Sequence, residues 1–135
     1  MGQQQLLLII LGVIVVGIAV AVGITMFTDN AVSANKDAVT NDLVNLASRA
    51  QQFYRRPTAL GGGQGSYILL TADAAGLAKL TSKASNSNGV YSIVTAGTAT
   101  SVVLNGIGTE KGIDGNPLDI DMTVFADSTF VVFNN

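Results

Sequence analysis

The chain has 135 residues, a formal net charge of −2 and a pI near 4.7, and it contains no Cys, His or Trp. A weakly acidic chain with no basic run lacks the electrostatic footprint of a nucleic-acid binder. Without Cys or His, disulfides, thiolate nucleophiles, histidine-based triads and the common zinc ligand sets are all ruled out, so neither an enzyme nor a cofactor is expected.

The first element is the run Leu6–Phe27, LLLIILGVIVVGIAVAVGITMF, which holds no charge and whose only polar side chain is Thr25. As a helix it would be about 33 Å long, enough to cross a hydrocarbon core. Apolar residues fall on all its sides, so it requires lipid or protein all round. Its n-terminal flank MGQQQ carries no Lys or Arg. That argues against a cleaved secretory signal and for a retained anchor, and it leaves orientation unset by charge.

Residues 28–56 continue without a Pro or Gly. Val32, Val39, Leu43, Leu46, Ala50 and Phe53 recur at helical spacing and form a narrow apolar stripe. Asp29, Asp37 and Asp42 lie towards the start, and Arg49, Arg55 and Arg56 towards the end, as the helix dipole favours. Pro57 and the glycines Gly61, Gly62, Gly63 and Gly65 then stop the helix. Gln3 to Arg56 thus reads as one helix of about 80 Å, with Gly12, Gly17 and Gly23 as soft points and Gly23 the best place for an unwound turn.

Beyond Gly65 the period changes. Ser66–Thr71 is β-prone, and Ala72–Leu80 reads as a short helix capped by Thr71. Four strands are expected at Val90–Ala96, Ser101–Asn105, Ile120–Ala126 and Thr129–Phe133, with a Gly-rich loop from Gly106 to Asp119. The fold class is therefore α+β. Residues 1–28 form an apolar transmembrane or filament-core helix, 29–56 its amphipathic continuation, and 57–135 a β-rich head. The head is a small antiparallel meander covered on one face by Leu43, Leu46 and Phe53.

Few residues invite a chemical role. Asp114, Asn116, Asp119 and Asp121 gather oxygen donors of the kind Ca²⁺ takes, but their spacing is not that of an EF-hand, and Asp-Gly-Asn-Pro is an ordinary turn. Gly106–Gly112 lacks the Gly-Lys-Ser/Thr and following helix of a phosphate loop. Arg55 and Arg56 suit a helix end better than an anion site, and Phe53 and Tyr54 suit core packing. The head from Pro57 carries an excess of acid and the helix 28–56 a slight excess of base, a difference that can set register between neighbouring copies more than affinity.

A long N-terminal helix, apolar first and amphipathic second, followed by a small antiparallel sheet, resembles the type IV pilin and pseudopilin family. The resemblance is architectural over the chain and sequence-level only in about its first 30 residues. It implies a ladle-like subunit anchored in the inner membrane, then carried by pilus assembly machinery into a helical filament of its own copies. It also implies a prepilin peptidase that cuts after Gly2, making Gln3 the new and methylated N-terminus, unless Met1 is already the mature first residue. Family members usually carry a Glu at the fifth mature position. Here that position is Leu7 after cleavage, or Gln5 without it, so the usual charge pairing is absent and the glutamines offer hydrogen bonds in its place. The C-terminal disulfide loop and mid-helix Pro of many members are missing as well.

The function expected from this resemblance is a structural subunit of a cell-surface filament, polymerising through Gln5, Leu7, Gly12, Gly17 and Gly23. The alternative is a single-pass anchored binding module, or a minor pseudopilin that forms no long fibres.

Overall fold

The computed structural model describes residues 2–135. One helix, α1, runs unbroken from Gly2 to Arg55, about 80 Å at about 1.5 Å per residue. It passes through Gly23 without an unwound turn. The Thr25 and Thr28 hydroxyls, which donate to the carbonyls of Ala21 and Ile24, stay within the helical ladder.

The second half of α1 lies along a four-stranded antiparallel sheet of order β1-β2-β3-β4 (Gly89–Thr95, Ser101–Lys111, Pro117–Phe125, Thr129–Phe133). Most of the expected stripe is the helix side of the core: Val39, Leu43, Leu46, Ala50 and Phe53, joined by Ala47, are buried against Tyr91, Ile93, Val102, Leu104, Leu118, Ile120, Met122 and Val124, whereas Val32, beyond the buried core, is only half-buried. Those strand residues alternate with outward ones, as the two-residue period of a pleated strand requires.

The β2–β3 hairpin is longer than expected, and the loop 106–119 shrinks to 112–116. Gly106 and Gly108 are strand residues over which the helix passes closely. A Cβ on Gly106 would lie 2.7 Å from Val39 Cγ1, and one on Gly108 would lie 2.3 Å from Asn35 Oδ1. Their lack of side chain serves helix–sheet approach and not a turn.

Two shorter expectations also shift. Ser66–Thr71 forms no strand. A five-residue helix, α2 (Ala74–Ala78), is capped by Asp73, whose side chain accepts from the Gly76 N–H, while Thr71 donates to that same carboxylate.

The end of α1 is closed by the glycine loop. The N–H groups of Gly63, Gln64 and Gly65 donate to the carbonyls of Phe53, Arg56 and Tyr54, filling acceptors that a helix end leaves open. Arg55 does not cap its own helix, because its guanidinium donates to Ala126 O in the β3–β4 turn. Tyr54 stacks on Tyr67 at 4.8 Å between ring centroids, and Phe53 points into the core.

These contacts set the direction of the sheet. Asn35 touches the far end of β2 at Glu110, and Gln51 donates to Phe125 O at the far end of β3. The strands therefore run lengthwise beside the helix, with the 112–116 hairpin tip towards the apolar half of α1 and the β3–β4 turn at Arg55.

Candidate functional site

The apolar half of α1 is bare. Every described residue up to Asn30 is exposed, and none of its most apolar 18-residue window is buried. The helix is long and apolar enough to cross a membrane. Among the described residues no other surface exposes so many large apolar side chains together, and monomeric soluble proteins rarely expose so contiguous an apolar patch.

The glycines of this half differ from those of the head. A Cβ on Gly12, Gly17 or Gly23 would meet nothing within 4 Å, so this chain's own fold does not require glycine at any of them. In a helix interior each costs about 0.8–1 kcal/mol relative to Ala. At about 100° per residue, Gly12 and Gly23 fall within about 20° of each other and Gln5 joins them, whereas Gly17 lies about 140° away. Small residues thus open two sides of the helix, and Gln5 places an amide in line with one of them. Leu7 lies on a different side from Gln5, while Gly2 and Gln3 are exposed in the first turn. Met1 lies outside the described residues.

The oxygen donors of the β2–β3 hairpin are committed to amides. Asp114 accepts from the backbone N–H and side chain of Asn116, and these bonds hold its carboxyl below the usual range. Asp119 and Asp121 both accept from Asn105 Nδ2, and Asp121 also accepts from Asn134. Asp114, Asn116 and Asp119 line one hollow of about 410 Å³ with Asn134 and Asn135, and Asp121 lies outside it. Among the described residues no three His, Cys, Asp or Glu side chains come together as a metal site.

Sequence reasoning did not single out the polar joint between helix and head. One oxygen of Asp42, Oδ2, accepts from Asn86 Nδ2, Asn88 Nδ2 and Tyr91 Oη. Burial opposes ionisation of Asp42, but the bonds from Asn88, Tyr91 and Asn86 together outweigh it and keep the carboxyl below its usual range. Burial first, and then the bond to Asp42 and its charge, push the Tyr91 phenol well up.

About two turns earlier, buried Asn35 donates to Asn88 O and accepts from Glu110 N–H. Its position in the apolar stripe, between Val32 and Val39, was the available signal: a polar residue there needs partners. Arg49, which donates to Leu80 O, lines a cleft of about 400 Å³ beside this joint with Asn45, Lys83 and Tyr91. These groups fix the helix to the head.

Neither a protein-family model nor a curated protein nor a solved structure matches the chain.

Proposed function

We propose that the chain is a structural subunit of a type IV pilin-like filament, held in the inner membrane by α1 before assembly and polymerising through that same surface afterwards. The observation that carries this reading is the open space at Gly12, Gly17 and Gly23. Three helix-weakening residues that no intramolecular contact explains are accounted for if neighbouring helices approach them. Because they open two sides, the arrangement suits a helix surrounded by several copies, as in a filament core, better than a simple pair.

Moving an apolar helix from lipid into protein yields little hydrophobic gain. Assembly then draws on close packing at the glycines and on interhelical hydrogen bonds from Gln5, each about 0.6–2 kcal/mol. An assembly motor supplies the remaining work. Leader cleavage between Gly2 and Gln3 and methylation of the new amine belong to the same proposal, and mass spectrometry of the native N-terminus tests both.

The deciding experiment is electron microscopy of surface fractions from cells carrying Gly17→Leu or Gly12→Leu. The expected result is loss of fibres with a normally folded head. Undiminished fibres from both variants would falsify the helix-packing account. A wild-type protein that stays dispersed in the membrane, with no fibres at all, would favour the anchored binding module.

A further inference from the structure

The geometry points to the tip of the β2–β3 hairpin as a membrane-docking element: before assembly, Ile113 inserts into the interfacial layer of the bilayer that α1 spans. The inference rests on the proposed reading that α1 crosses a membrane, and adds to it a second contact, made by the head.

Three observations place the tip there. The sheet runs lengthwise beside α1, so the 112–116 turn faces the apolar half. The tip sits beside the helix at a known height, since Ile113 lines a groove of about 430 Å³ with Thr28, Asp29, Val32, Ser33 and Lys36. Those helix residues lie about 1.5 to 14 Å past Phe27 along the axis, while the headgroup layer is about 5–8 Å thick on each side of the hydrocarbon. The tip therefore meets the layer when Phe27 marks the end of the span.

The third observation is exposure. Ile113 is 106% exposed, the most exposed large apolar side chain among the described residues, and Phe27 is 78% exposed near the same level. A large aliphatic side chain at the apex of a polar turn, flanked by Gly112 and Asp114, finds no partner in its own fold. Burial in the interface removes that apolar surface from water. Charge is not the attraction: Lys36 and Lys111 on the groove are offset by Asp29, Glu110 and Asp114 at the same end of the head, and Lys36 is already drawn over the Phe133 ring. Docking is therefore expected on a zwitterionic surface.

The absence of Trp supplies the test. Full-length Ile113→Trp, Val15→Trp and Ile68→Trp chains are reconstituted separately in phosphatidylcholine vesicles, with bromine at shallow or deep positions of the acyl chains. Ile113 is unpacked and accepts Trp without strain. The expected result for Ile113→Trp is blue-shifted emission quenched most by the shallow label. Val15→Trp should be quenched most by the deep label, and Ile68→Trp, at the other end of the head, by neither.

If Ile113→Trp behaves like Ile68→Trp while Val15→Trp is quenched, the helix spans and the docking inference is wrong. An unquenched Val15→Trp removes the membrane span and the inference together. A blue shift of Ile113→Trp that develops only in lipid-free fibres would assign the tip to a second copy of the chain and overturn the lipid contact.

Discussion

Tyr91 Oη donates to Asp42 Oδ2 at 2.5 Å, joining β1 to α1 across 49 positions of sequence. It is a charge-assisted bond of the short, strong kind, and with Asn86 and Asn88 it concentrates three donors on one carboxylate oxygen. The folded pKa of Asp42 lies below its ordinary 3.8. A depressed carboxylate stabilises the fold fully above its unfolded pKa, and that contribution drains away as pH falls through the folded value. Asp42→Asn is expected to cost about 1–3 kcal/mol at neutral pH, with donors left facing an amide. The gap from wild type should close below pH 3.8. Chemical unfolding of the detergent-solubilised chain at several pH values measures this, and a gap independent of pH would show that the charge of Asp42 is not what the donors hold. Asp73 and Asp114 also have lowered pKa values, so the comparison with the variant, and not the wild-type acid limb alone, isolates Asp42.

The approach of α1 to β2 depends on Gly108 and Asn35 together. A Cβ at position 108 would sit 2.3 Å from Asn35 Oδ1, an atom held by its bond to the Glu110 N–H. Gly108→Ala is therefore expected to destabilise the head by about 1–3 kcal/mol through overpacking. In an Asn35→Ala background the closest contact is gone, leaving Leu118 Cβ at 3.0 Å from the added methyl, so its cost should shrink without vanishing. Additive effects of the two substitutions in a double-mutant cycle would mean that the clash is relieved elsewhere.

These two joints show what the amino-acid pattern could and could not reveal. The long helix, its stripe from Val39 to Phe53 and the four strands follow from hydrophobic period alone, because burial imposes that period. The extent of the β2–β3 hairpin does not. Gly106 and Gly108 look like loop formers until a helix is seen crossing them, and closeness of two distant segments leaves no local trace. The Asp42 cluster was hidden for the same reason, since Asn86 and Asn88 are ordinary turn residues until α1 brings a carboxylate to them. Ile113 was absorbed into a Gly-rich loop, and its exposure became meaningful only with the direction of the sheet. The open glycines of α1 were legible as candidates, but that no part of the head reaches them follows only from the fold.

Calcium is expected to leave the head's stability unchanged. The carboxylates of Asp114, Asp119 and Asp121 already accept from Asn116, Asn105 and Asn134, and a cation would have to displace those donors. A ligand that binds only the folded state raises the melting temperature in proportion to the logarithm of its concentration above Kd. Thermal unfolding in millimolar Ca²⁺ against chelator measures this directly. A rise that grows with the logarithm of Ca²⁺ concentration and disappears in Asp119→Asn would establish the site.

Tyr67 should respond to truncation in the opposite sense to Tyr91. Its ring is fully buried against Tyr54, and its hydroxyl has no hydrogen-bond partner among the described residues. An unsatisfied buried hydroxyl costs about 1–3 kcal/mol, so Tyr67→Phe, which keeps the ring and removes the orphaned group, is expected to stabilise the head by up to about that amount. Tyr91→Phe strips a donor from Asp42 and should destabilise it. The alkaline limb carries a second signature. Burial pushes the Tyr67 phenol up from 10.0 to about 12, so its contribution is complete below pH 10 and is lost as pH rises through the folded value. Tyr67→Phe should therefore soften the fall in stability above pH 10, leaving the part due to Tyr91. Urea unfolding of the two variants at neutral pH and above pH 10 reads both effects, and a loss of stability in Tyr67→Phe at neutral pH would mean that the hydroxyl has a partner, such as a buried water.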